Sequence, residues 1–127
     1  MLKLHQLASR NFKLETKFHK LGALNFTMND IQLKLKDNGQ GAFLIEEGDV
    51  RLAEMEVAVN NGNVTVYHTE VAEELKGKGV ASKLLSTMVA YARENKLKVI
   101  PLCPYVLAQF KRHPDQYADI WNKTWHH

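Results

Sequence analysis

A chain of 127 residues, 45% hydrophobic and 24% charged, has the size of one domain with a modest core, which excludes collagen-like, disulfide-scaffold and wholly disordered classes. No run approaches the 18 or so apolar residues that a membrane helix needs, and the single cysteine, Cys103, leaves no internal disulfide and fits a reducing, cytoplasmic setting. The formal charge of +3 sits in residues 1–27, where five basic side chains oppose one acidic; residues 28–127 hold 12 basic and 13 acidic, so the body is not expected to bind nucleic acid.

Residues 1–27 read as a weakly anchored extension ahead of a domain spanning 28–127, with Met28 as an alternative start. Leu7, Leu14, Phe18 and Leu21 would share one side of a helix. The segment has no continuous apolar core of the kind a secretory signal carries, and it is Lys-rich where a transit peptide would be rich in Arg and Ser.

From Ile31 the pattern sharpens. Ile31, Leu33 and Leu35 alternate with polar residues, the period of a half-buried strand, and Asp37-Asn38-Gly39-Gln40-Gly41 is a turn. A second strand follows over 42–47. Val50, Leu52, Met55, Val57 and Val59 make a third, whose alternation slips near Ala53-Glu54 and predicts a bulge there. Asn60-Asn61-Gly62-Asn63 is a turn into a fourth strand over 64–71, which completes an antiparallel meander. Val80, Leu84, Leu85, Met88, Val89 and Ala92 then fall at helical spacing, with Asn95 ending the helix. The apolar run 97–102 is a buried fifth strand. The 25 intervening residues, 72–96, suffice for a crossover, so strands four and five should run parallel. A short helix over 105–113, stopped by Pro114, and an amphipathic piece with Tyr117, Ile120, Trp121 and Trp125 close the chain. The fold class is thus α/β: a four-strand meander plus a parallel fifth strand.

The chemistry concentrates in Glu74-Leu75-Lys76-Gly77-Lys78-Gly79-Val80-Ala81-Ser82-Lys83, between the fourth strand and the long helix. Two glycines allow a sharp turn without β-carbons, and the first amides of a helix lack partners, so the loop is suited to seat a diphosphate. A plain Gly-rich turn into a helix reads equally well from these residues alone. The spacing matches neither a Walker A loop nor the dinucleotide fingerprint, and no kinase lysine strand or catalytic loop is present. Metal binding is not expected, because the histidines are scattered and His126-His127 is a terminal pair.

The loop, in its position after a meander strand and before a crossover helix, resembles the Arg/Gln-x-x-Gly-x-Gly/Ala signature of the GNAT superfamily of acetyl-CoA-dependent N-acetyltransferases, read here as Lys76-Gly77-Lys78-Gly79-Val80-Ala81 with Lys in the first position. More narrowly, the chain resembles the small YjdJ-type subfamily. The likeness runs through Tyr67-His68-Thr69-Glu70-Val71, Tyr91-Ala92-Arg93-Glu94-Asn95, Ile100-Pro101-Leu102-Cys103-Pro104-Tyr105 and Phe110-Lys111-Arg112-His113-Pro114, and it covers about residues 28–123.

The resemblance implies a minimal GNAT fold, with strands four and five splayed apart to admit acetyl-CoA or CoA. The cofactor-binding residues it implies are Thr69, Val71, Lys76, Gly77, Lys78, Gly79, Val80, Ala81 and Ser82. The reaction would move an acetyl group to an unidentified amine. Glu70 or His68 is the implied base for direct transfer, and the alternative is a relay in which Cys103 takes the acetyl group with His68 activating the thiol. The family's tyrosine that protonates the departing thiolate has no direct counterpart, which leaves Tyr105 or Tyr117 as substitutes. The two helices that shape the acceptor site in larger members are replaced by the turn at 37–41, so the acceptor side should be open. The competing class is a CoA-binding module with a sensing or interaction role and no turnover.

Overall fold

The computed structural model describes residues 31–124, so the expectations for residues 1–27, Met28 and Trp125 lie outside the described residues. Five strands form one sheet in chain order: β1 (Gln32–Leu35), β2 (Gln40–Glu47), β3 (Val50–Asn60), β4 (Asn63–Val71) and β5 (Lys98–Pro101). The first four pair antiparallel, and β4 and β5 pair parallel, as the meander and crossover pattern predicts. The β3–β4 hairpin turns on Asn61 (φ 53°) and Gly62 (φ 77°), the two positive φ values that a tight Asn-Gly turn requires. Helix α1 (Val80–Glu94) bridges β4 and β5; α2 (Pro104–Arg112) and α3 (Pro114–Tyr117) follow β5. Pro114 thus does more than end the preceding helix. It occupies the first turn of a new one, where its missing N–H costs no bond.

Two register shifts set which residues face the helices. Ile45 pairs with Ala53 but Glu46 pairs with Arg51, so Leu52 is the extra residue, just before the Ala53-Glu54 slip in the sequence. Glu56 pairs with His68 but Val57 pairs with Val66, which makes Tyr67 a second bulge, in β4. Because side chains alternate along a strand, the shifts keep Ala53, Met55 and Val57 on one face with Val64, Val66, Thr69 and Val71.

That face packs under the helices. The apolar stripe of α1, from Val80 to Ala92, is buried in one cluster with Phe43, Met55, Val99, Val106, Phe110 and Tyr117. Phe110 is fully buried, stacks on Tyr117 at 4.5 Å between ring centroids and meets Trp121 edge-on at 5.5 Å. Removing such a side chain from water stabilises the fold by about 1.5–3 kcal/mol. The outer edge of β5 is covered by the chain's last described stretch, where Val99 N–H donates to Ile120 O (2.6 Å) and Asn122 N–H to Val99 O (2.9 Å). Arg93 of α1 anchors this stretch through two bonds to Asp119 and one to the Gln116 carbonyl.

The opposite face of the sheet is charged. Lys34 and Arg51 both pair with Glu46, at 2.9 and 3.4 Å, and Arg51 also pairs with Glu54 at 2.6 Å. The hydrogen bond from Lys34, with help from Arg51, holds the Glu46 carboxyl below its ordinary value against the effect of burial.

Candidate active site

The site begins where the parallel ladder ends. β4 and β5 pair over only four positions, from Asn63↔Lys98 to Val66↔Pro101. Pro101 has no N–H to continue the ladder, the Cys103 N–H closes the junction on Val66 O (2.8 Å), and Pro104 starts α2. β4 runs on to Val71 with no β5 partner, so the strands splay and leave one backbone edge of β4 free of the ladder.

Beyond the splay, a short 3₁₀ turn (Glu73–Leu75) leads into the glycine loop. Gly77 (φ 80°) and Gly79 (φ 78°) both adopt the left-handed backbone, and a β-carbon built on either would meet nothing within 4 Å. Gly79 is the N-cap of α1 and has no side chain to cap it. The first intrahelical bond runs from Lys83 N–H to Gly79 O (3.1 Å), so the N–H groups of Val80, Ala81 and Ser82 have no intrahelical acceptor. No acidic residue stands in that first turn to occupy them, and the helix dipole adds positive potential there.

Loop and splay open onto one cleft of about 400 Å³, lined by Thr69, Val71, Leu75, Lys76, Gly77, Gly79, Val80, Ala81, Ser82 and Tyr105. Eight of the nine residues named from the sequence for cofactor binding line it. Lys78 does not: it is exposed and outside the lining. Lys76 lies 3.2 Å from Glu73, an exposed pair that an incoming anion can outcompete. Leu75 and Tyr105 complete the wall. Leu75 is fully buried, and its signal in the sequence was only an apolar residue ahead of the loop. Burial first, then neighbouring Tyr117 and Cys103, push the Tyr105 phenol above its ordinary value and keep its proton on. Tyr117 is committed to packing against Phe110, and its oxygen accepts a bond from Gln116.

The remaining candidates separate by face. Cys103 is buried, and its Sγ shares a 3.3 Å hydrogen bond with Thr69 Oγ1 beside the cleft. His68 pairs across the sheet with Glu56, and Glu70 with Glu54, which puts both on the charged face. There the His68 Nε2 lies 3.8 Å from Glu70 Oε2, with His68 half-exposed. The structure therefore brings Cys103 to Thr69 and His68 to Glu70, and it does not bring Cys103 and His68 together as a relay requires. The cause is the side-chain period: residues 68 and 69 point to opposite sides of one strand.

Residues 42–120 match the family model of the GCN5-related N-acetyl-transferases. Among solved structures, the chain is similar to a solution NMR structure from Staphylococcus aureus described as a GCN5-like candidate N-acetyltransferase, with 34% identity, a TM-score of 0.55, and coverage of 77% of this chain and 94% of that one. No curated protein matches.

Proposed function

The chain belongs to the GCN5-related N-acetyltransferase family, and from that premise we propose that it binds acetyl-CoA in the splay cleft and transfers the acetyl group directly to an amine arriving from the charged face. The observation that carries this reading is the β4–β5 ladder, which opens after four pairs onto a helix start with unpaired amides. The cleft fits the cofactor's chemistry. The space where β-carbons would stand at Gly77 and Gly79 is free for a diphosphate, and the amides of Val80, Ala81 and Ser82 with Lys76 supply donors to it. The free edge of β4 at Thr69–Val71 offers backbone partners to an amide-bearing arm. When bound, acetyl-CoA supplies an acyl carbon whose C–S bond is exchanged for a C–N bond.

The protein's own groups handle the protons. Glu70, with His68 beside it, accepts a proton from the amine nitrogen on the charged face. Tyr105, its phenol kept protonated by burial, gives a proton to the departing sulfur on the cleft side. The placement of His68 away from Cys103 supports direct transfer over a Cys103 relay, and the Cys103–Thr69 bond supports a packing role for that thiol. Calorimetry with CoA and ADP tests the cleft: CoA is expected to bind more tightly, because ADP lacks the arm that would use β4. Thiol release from acetyl-CoA across an amine panel tests turnover. CoA binding with no release for any amine would replace the enzyme with a binding module.

A further inference from the structure

The charged face holds a second cavity, of about 430 Å³, lined by residues that include Lys34, Lys36, Ala42, Arg51, Glu56 and Tyr67. It lies beside the bulge and next to the residues that face Glu70 and His68. A cross-strand row runs through its lining and on to His68: Lys34 pairs with Ala42, Ala42 with Glu56, and Glu56 with His68. Ala42 keeps the middle of the row low, so the row is a trough with carboxylate and imidazole at the β4 end and ammonium groups at the β1 end. Neighbouring strands stand about 4.8 Å apart, so the backbones carrying Glu56 and Lys34 are separated by about 10 Å.

The charges along the trough are unequally engaged. Lys34, Glu46, Arg51 and Glu54 neutralise one another in the ion pairs described above. Glu56 and Lys36, at opposite ends, have no ion-pair partner among the described residues, and the buried Nε of Arg51 has no acceptor. No group of three or more His, Cys, Asp or Glu among the described residues forms a metal-ligand set, so the carboxylates are not explained as a cation cage. Glu56 and Lys36 are both exposed, so each is solvated and open to an incoming ligand of opposite charge, while the buried Arg51 Nε is a donor that a ligand's acceptor would satisfy.

We infer that this trough is the acceptor site and that it selects a primary amine carrying an anionic group several atoms from the nitrogen. Glu56 draws the ammonium toward Glu70 and the splay, and Lys36 holds the anion at the β1 end. The polarity is the one that transfer needs, with the nitrogen at the end where Glu70 can take its proton. This inference rests on the proposed acetyltransfer: the ammonium first releases one proton to solvent to expose its lone pair, the new C–N bond then replaces the thioester C–S bond, the second nitrogen proton goes to Glu70 or His68, and the sulfur takes one from Tyr105, which solvent reprotonates.

The test compares thiol release by the full chain with three amines of matched length: ε-aminocaproate, hexylamine and hexamethylenediamine. The kcat/KM for ε-aminocaproate should exceed that for the other two by tenfold or more, and Lys36→Glu, an exposed change, should move the preference to the diamine. Equal rates for the three amines, or a preference unchanged in Lys36→Glu, overturns the inference and leaves the acetyltransferase standing. If no amine supports release, the proposed reaction fails, and the trough is read directly by chemical-shift titration. Shifts at the Ala42 and Glu56 amides with ε-aminocaproate but not hexylamine support its charge selectivity, and no shifts overturn it.

Discussion

The two faces of the sheet are built from the same strands and differ only in residue parity, yet they meet different environments. On the helix side, Phe43, Met55, Val57, Val64 and Val66 are nearly inaccessible to solvent and share one packed core with Leu75 and Val80 of the cleft wall. On the other side, Glu46, Glu54, Glu56, Glu70 and His68 stand in or beside a trough whose charges compensate one another only in part. The bulge at Tyr67 joins the two, because it turns Thr69 toward the cleft while His68 and Glu70 turn away. Cofactor recognition should therefore depend on backbone geometry and acceptor chemistry on side chains, and changes on one face should leave the other's ligand untouched.

The largest expected effect sits on the charged face. Glu70→Gln should lower kcat for thiol release by about 10²–10⁴-fold, the usual worth of a positioned base, while calorimetric CoA affinity stays unchanged. A matching loss of CoA binding would break the division between faces. On the cleft side, Tyr105→Phe keeps the ring and removes the proton, and the expected fall in kcat is about 10²-fold. Because burial raises the Tyr105 phenol above its ordinary 10.0, the wild-type pH profile should lose activity only above that range, and the variant should lack this alkaline limb.

Backbone geometry is tested by two glycines of equal φ. Gly79→Ala and Gly62→Ala each force a β-carbon into the left-handed region with no steric neighbour, and each should cost about 1–2 kcal/mol in urea unfolding. Only Gly79→Ala should also weaken CoA binding, since its β-carbon enters the cleft; equal affinities in the two variants would remove the loop from the cofactor site. The smallest effect belongs to the Lys34–Glu46 pair. With the Glu46 carboxyl held below 4.5, its contribution is complete above that pH and is lost as the pH falls through the lowered folded-state value. Acid titration of stability should show this loss in the wild type and its reduction in Lys34→Met, with a difference under about 1 kcal/mol.

Much of the fold could be read in the sequence because its signals are local. The apolar stripe from Val80 to Ala92, the Asn61-Gly62 turn and the parallel return of β5 each follow from spacing or turn chemistry within a few residues. The glycine loop was legible for the same reason, and eight of its nine named residues with the adjoining strand line one cleft. The β4 bulge left a trace that is clear only once its partner strand is known: the apolar positions move from even numbers at Val64 and Val66 to odd at Val71, with no glycine or proline to mark the change. Tyr105 and Leu75 carried no motif, since their place in the cleft depends on how α2 and the 3₁₀ turn pack.

The amino-acid order by itself determined the strands, the crossover and the glycine loop, because backbone propensity and hydrophobic period act over one turn or one pleat. Only the tertiary structure decided which face each β4 side chain joins, that Cys103 meets Thr69 and not His68, and that Lys36 and Glu56 end one trough. Those relations depend on cross-strand register, and a shift of one residue there reverses every side chain that follows.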